Sequence, residues 1–487
     1  MEAFEPRERE ESQLAGTATS PAATAAEKAE TAAEIESKEQ ISSMGRDSIS
    51  QLLLRFSLPA TIAMAVMASY NIIDTMFVSR LGSEAIAALS VSFPIQMIIG
   101  ALGIGTGVGA ASLISRSLGA SRREEASLAV GQVFFLSLTL GIAVIIPGLI
   151  FLRPLLLAFG ATPDILDMTA EYMSVIIAGT FFLMVMMMLN NVTRAEGNAM
   201  LSMRVMVISA VANIIMDPIF IFTLEMGVQG AAVATILAKI LGMGLLLHYY
   251  IKGHSALSLR LSHLKPCLPV IMEIYRIGVP TMIIQMAGNF SLILANRFLG
   301  GFGYIPIAVM GLIMRFQNFT FMPVAGISQG LLPIIGFNYG AKKPLRIREA
   351  LLKGCLVGSL LTTAMGAILF LFPAFFLRLF SAEPELLATG IGALRIMVLM
   401  YPLLAPVIIA VSFFQGVGKG LPTLLLSLLR QFLFYIPCIM ILPRFFGLTG
   451  IWISTPVADG LAFIIVIAML AAEMRRQNIP LFQGNRL

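Results

Sequence analysis

From residue 50 onward the chain alternates between long apolar stretches and short polar breaks. Stretches of about 20–28 residues recur, each long enough to cross a hydrocarbon core of about 30 Å at about 1.5 Å per residue. The pattern predicts twelve transmembrane helices: spans 1 to 6 near 52–78, 86–113, 127–151, 166–192, 200–223 and 228–250, and spans 7 to 12 near 274–299, 305–335, 349–373, 386–413, 421–443 and 447–473. The fold class is therefore all-α and integral to a membrane.

The two sets of six match each other at a nearly constant offset of about 221 residues. Pro59 answers Pro280, "LGASRREEA" (118–126) answers "YGAKKPLRIREA" (339–350), "ATPD" (161–164) answers "AEPE" (382–385), and "RAEGNA" (194–199) answers "QGVGKG" (415–420). An even number of spans per repeat gives both halves the same orientation. The expected architecture is two six-helix lobes related by a pseudo-two-fold axis along the membrane normal, with a cavity between them. The sequence thus divides into a tail (1–48), an N-lobe (50–250), a polar linker (251–273), a C-lobe (274–473) and a C-terminal segment (474–487).

Composition agrees: 57% of the 487 residues are hydrophobic and 12% charged, outside the range of ordinary soluble domains. The net charge of +6 hides an asymmetry, because residues 1–48 hold eleven acidic and five basic side chains and leave +12 for the rest. That tail, rich in Ala, Glu, Ser and Thr, is expected to be disordered and cytoplasmic. With the N-terminus inside, the loops on its side carry fifteen Lys and Arg against four (Arg80, Arg153, Arg378, Arg444) on the other. The positive-inside rule then places both termini in the cytoplasm. Cys267, Cys355 and Cys438 share no disulfide or metal spacing, and His248, His254 and His263 are expected to be solvated loop residues.

Ionisable groups within spans are functional candidates, because an Asp at the bilayer centre costs about 2.5–3.5 kcal/mol. Asp74 lies near the outer end of span 1, Asp217 near that of span 5, and Thr235 at similar depth in span 6. Asn213 precedes Asp217 by one helical turn and shares its face. Their common depth is what convergence on one site requires, and their oxygens suit a hard cation such as Na⁺ or, through the paired carboxylates, a proton. The alternative is that they satisfy one another and the backbone loosened by Pro218. Lys239 and its repeat equivalent Asp459 are candidate charge partners or a second relay; a salt bridge from Lys239 to Asp74 or Asp217 would be the structural alternative.

Gly103, Gly105, Gly107 and Gly109 in "GALGIGTGVGAAS" have the small-xxx-small spacing of close helix packing. Glu196, in a short turn, reads as a cap or surface contact. "FLMVMMMLNN" (182–191) and "RFQNFTFMPVAGISQGLLP" (315–333) could line a cavity for apolar ligands or simply form core. No nucleophile, metal or nucleotide-binding motif of an enzyme is present.

"NIIDTMFVSRLG" (71–82), "RAEGNAMLS" (194–202), "VANIIMDPIFIF" (211–222), "GVQGAAVAT" (227–235) and "SQGLLPIIGFNYGA" (328–341) together resemble the multidrug and toxic compound extrusion (MATE) family over about residues 50–475. The resemblance implies a V-shaped transporter that alternates between cytoplasm and exterior, exporting organic, often cationic and aromatic, compounds in exchange for Na⁺ or H⁺. It assigns Asp74, Asn213, Asp217 and Thr235 to the cation or proton site and Pro59 to bending of span 1. Span 7 departs from some branches of the family, with Gln285 and no carboxylate. The expected protein is a monomer in a bacterial or archaeal cytoplasmic membrane, without cofactor or nucleic-acid partner, surrounded by lipid and acting on small organic substrates. A lipid-linked precursor flippase of the same superfamily is the alternative.

Overall fold

The structure, a computed structural model, describes residues 39–380, 383–477 and 479. All its regular secondary structure is helical among the described residues. Spans 1 to 3 are Ile49–Ser79, Ser83–Gly119 and Arg123–Ile150; spans 5 and 6 are Ala199–Thr223 and Gly227–Ile251. Spans 7 to 9 are Leu268–Gly300, Tyr304–Gly340 and Pro344–Leu371. Gly420–Arg476 is helical for 57 residues. At about 1.5 Å per residue that is near 85 Å, far more than one crossing. Gly447, at φ 54° and ψ −137°, breaks it into spans 11 and 12.

Spans 4 and 10 are not the single helices predicted. Pro163–Ala178 and Thr180–Ala195 meet at 51°, and Pro384–Val398 and Tyr401–Gly416 at 50°. In span 4 the joint is Gly179, where any side chain would collide with Ile236 of span 6. In span 10 the second segment opens with Tyr401 and Pro402, and a proline disfavours helical geometry in the residue before it while offering no donor to the preceding turn.

The internal repeat is written into the backbone. Left-handed φ angles recur at Gly82 and Gly303, at Ser121 and Lys342, and at Gly197 and Gly418. The short helices after spans 3 and 9, Leu152–Ala158 and Pro373–Arg378, are likewise repeat equivalents. Equivalent turns in equivalent places make the two lobes copies of one six-helix unit.

The lobes share a core at the face where the described residues begin and end, at 39 and 479, and part toward the other. One buried cluster runs through both lobes and includes Phe56, Ile114, Ile334 and Phe413; a second, with Leu299, Met310, Leu394 and Trp452, belongs to the C-lobe alone. Side chains at Gly105 and Gly109 of span 2 would collide with Gly278 and Ile274 of span 7. Gly326 and Gly330 of span 8 lie as tightly against Thr61 and Ser57 of span 1. Toward the opposite face, Gly100, Gly288 and Gly311 have nothing within 4 Å of where a side chain would start. The molecule is a V, sealed at its terminus-bearing face. Gly103 and Gly107 instead pack against Met187 and Asn191 of span 4, so the predicted glycine run serves two neighbours.

Two loop expectations need correction. His263 is buried rather than solvated: Gln132 of span 3 donates to its carbonyl at 2.8 Å, and its Nε2 lies 3.0 Å from Glu124. The linker is thereby strapped to the N-lobe. The tail is also not disordered throughout. Its residues 1–38 lie outside the described residues, but residues 39–47 are packed, with Met44 fully buried at 0% exposure. Asn338 and Lys343 donate to the carbonyls of Met44 and Gly45 at 3.1 and 2.8 Å, and Arg346 donates to that of Asp47 at 2.6 Å. Gln40 at the other end of this strap abuts Gly197 of the N-lobe. Backbone acceptors met by C-lobe donors, with two buried apolar anchors (Ile41 and Met44), explain the order.

Candidate functional site

Near the open end of the N-lobe, spans 1, 2, 4, 5 and 6 bring polar groups together inside an otherwise apolar bundle. Span 5 supplies two. Asn213 donates from Nδ2 to Asp217 Oδ1 at 3.0 Å, as their one-turn spacing requires, and the same nitrogen lies 3.5 Å from Thr235 Oγ1 of span 6. Asn213 is 2% exposed and Asp217 0%. Span 1 brings Asp74, whose carboxylate interacts electrostatically with that of Asp217. Phe77 and Phe222 meet edge to face at 6.4 Å between centroids and hold the ends of spans 1 and 5 together just beyond the two carboxylates.

Pro218 does not end span 5. The α-helix runs through it and continues as a π-helical turn over Ile219–Thr223. Wide turns of this kind cluster at functional sites.

Three buried acceptors in this cluster have no hydrogen-bond partner: Asp74 Oδ1, Asn213 Oδ1 and Asp217 Oδ2. Leaving a buried acceptor unmet costs about 1–3 kcal/mol, more for a charged group. A set of oxygens held this way suits a hard cation or a shared proton, and the donor types match that chemistry. The alternative, mutual satisfaction, accounts for the bonds from Asn213 to Asp217 and Thr235 but leaves these three oxygens unmet.

Other residues stand where sequence reasoning did not look. Gln96 of span 2 and Tyr172 of span 4 hydrogen-bond at 3.4 Å, and Tyr172 feels the charges of both Asp74 and Asp217. Lys239 is not in a salt bridge among the described residues; its ammonium lies 5.1 Å from the ring centroid of Tyr70 in span 1. Pro59 is buried in a helix that runs unbroken from Ile49 to Ser79. Asp459 lies far along the chain in the C-lobe, paired at 2.6 Å with Nε of Arg430 in span 11. Arg430 was not among the predicted intramembrane charges.

A MatE family model matches residues 59–219 and 280–441, one copy in each lobe and most of the chain. The chain belongs to the MATE family. Its curated relatives include the multidrug export protein MepA of Staphylococcus aureus, 27% identical over 451 residues, or 92% of this chain and 99% of MepA. A crystal structure of a MATE protein in a bent conformation superimposes with a TM-score of 0.86 at 28% identity, covering 90% of this chain and 98% of that one. An outward-facing MATE multidrug resistance transporter superimposes at 0.84, also at 28% identity, covering 89% and 98%. MATE membership agrees with the twelve spans and their two-lobe arrangement. It also gives the seal at one face and the cleft at the other a role, since a transporter must alternate between two such arrangements.

Proposed function

We propose that this MATE protein is a multidrug exporter driven by the inward flow of Na⁺ or H⁺. The observation that carries the reading is the trio of unpartnered buried oxygens on Asp74, Asn213 and Asp217, in a lobe that faces the open cleft. The relative MepA is named a multidrug export protein over almost its whole length, which supports the direction of transport. With the basic, terminus-bearing face in the cytoplasm, the structure is the outward-open state.

The cycle follows from differential binding. A cation arriving from outside neutralises the Asp74 and Asp217 carboxylates and meets the free oxygens; span 1, with a proline buried at Pro59, then changes its packing against span 5, and substrate leaves outward. Substrate entering from the cytoplasm favours the opposite arrangement and releases the cation inward. Coupling exists only because the two states hold cation and substrate with different affinity. Na⁺ and H⁺ would use the same carboxylates.

In proteoliposomes with separately imposed Na⁺ and pH gradients, the wild type is expected to expel a fluorescent organic dye under one of them. Asp217→Asn should insert normally and lose about fivefold to 150-fold of the driven efflux, the range of coupling energies of about 1–3 kcal/mol. Undiminished ion-driven efflux by that variant would refute the reading. The flippase alternative calls for a strongly basic cavity around a pyrophosphate. The C-lobe cavity has a single guanidinium among the described residues, Arg430, which is too little positive charge for a pyrophosphate and argues against it.

A further inference from the structure

The C-lobe contains a cavity of about 550 Å³ that the coupling site leaves unused. Spans 7, 8, 11 and 12 line it with Gln285, Gln317, Asn318 and Gln431 around Arg430 and Asp459, and Met310, Met314 and Phe321 make an apolar wall. Arg430 and Asp459 are the only charged residues on its wall among the described residues.

The pair is lopsided. Asp459 keeps 3% of its side chain exposed and Arg430 30%, so the charge offered to a ligand is the positive one. The bond between them uses Arg430 Nε. Both terminal guanidinium nitrogens have no protein partner among the described residues. Arg430 stands in a π-helical turn, Leu429–Tyr435, a feature frequent at functional sites. A buried carboxylate that fixes a guanidinium by its Nε leaves a planar two-nitrogen edge ready for a second carboxylate, the geometry in which arginine binds such groups most strongly.

We propose that this cavity is a substrate site for aromatic compounds that carry a carboxylate, zwitterions included, with the carboxylate on the free edge of Arg430, the polar heteroatoms on the amides and the ring system against Met310, Met314 and Phe321. The proposal rests on the export reading for the purpose of the site, and refines it: a permanent cation without an acid group is the poorer ligand here. A single exposed guanidinium matches one carboxylate, and the buried Asp459 prevents the cavity from collecting polyanions.

The test uses two xanthene dyes that differ only in a free carboxylate or its methyl ester, binding to the purified full-length protein in lipid nanodiscs without any ion gradient. The wild type should bind the free acid about tenfold to hundredfold more tightly than the ester, the range of one charge-assisted hydrogen-bonded contact. Arg430→Lys should keep part of that preference and Arg430→Gln should abolish it. Because Arg430→Gln strands a buried carboxylate, the double variant Arg430→Gln, Asp459→Asn is measured beside it and should likewise show no preference. Equal binding of acid and ester by the wild type, or a preference that survives the double variant, would overturn the proposal. Asp217→Asn should retain the full preference, so that loss of coupling and loss of acid recognition are separate results.

Discussion

Glu196 shows how far a single residue can depart from its sequence context. It follows the last turn of span 4 in a short polar loop and reads as a cap or surface contact, yet it is 1% exposed. Ser255 of the linker donates to its Oε2 at 2.5 Å. Burial pushes its carboxyl up to about 7, with the Ser255 and tyrosine hydrogen bonds opposing the rise. The sign follows from proton counting: between the ordinary carboxylate value and about 7, the folded protein holds a proton the unfolded chain has lost, so stability falls as pH rises through that window and levels off above it. Thermal unfolding of Glu196→Gln should show a flatter slope than the wild type between pH about 4.5 and about 7. Parallel slopes would show that Glu196 does not titrate in this way. The polar cluster of the N-lobe was more legible. Asp74 and Asp217 announce themselves because ionisable groups are costly in lipid, and Asn213 and Thr235 follow from depth and helical spacing. Gln96 and Tyr172 carry no comparable penalty and so no comparable signal. Arg430 does carry one; its partner Asp459 lies 29 residues away across a break in helical register, which spacing alone does not connect.

At the scale of helices, the small-residue run of span 2 was readable, but its division of labour was not. Spacing says that Gly103, Gly105, Gly107 and Gly109 permit close approach; only the packing shows that alternate members face span 4 and span 7. Gly109 sits where a methyl group would strike the carbonyl of Ile274, backbone against backbone, with no flexible side chain to yield. Gly109→Ala should therefore wedge the lobes apart at their sealed face. Spin-label distances between spans 2 and 7 should lengthen there, and protein sealed at this face should become the minor species. An unchanged distance distribution would mean that the seam relaxes at no cost. The bends in spans 4 and 10 escaped the hydropathy pattern because a joint at Gly179 or before Pro402 leaves the apolar stretch intact. Hydropathy measures crossing length, not straightness.

For the whole molecule, twelve crossings and two lobes were legible because the chain repeats itself and lipid permits few spanning structures. Which face of the V is sealed was not, since one sequence must support both arrangements. The strap at residues 39–47 belongs to the sealed arrangement, touching Gly197 in one lobe and Asn338, Lys343 and Arg346 in the other. In a background without the three native cysteines, a cysteine replacing Ser115, buried at the seam, should be labelled several-fold faster after residues 1–47 are deleted. Deleting residues 1–38 alone should leave the rate unchanged, and equal rates for both deletions would show that the strap does not help hold the seal. The strap also has a consequence for synthesis. Its partners lie 294 to 299 residues downstream, so this early segment waits for about three-fifths of the chain to be made before it can dock on them. Closing the seam is thus a late event in synthesis, open only to a chain that has been made past span 8.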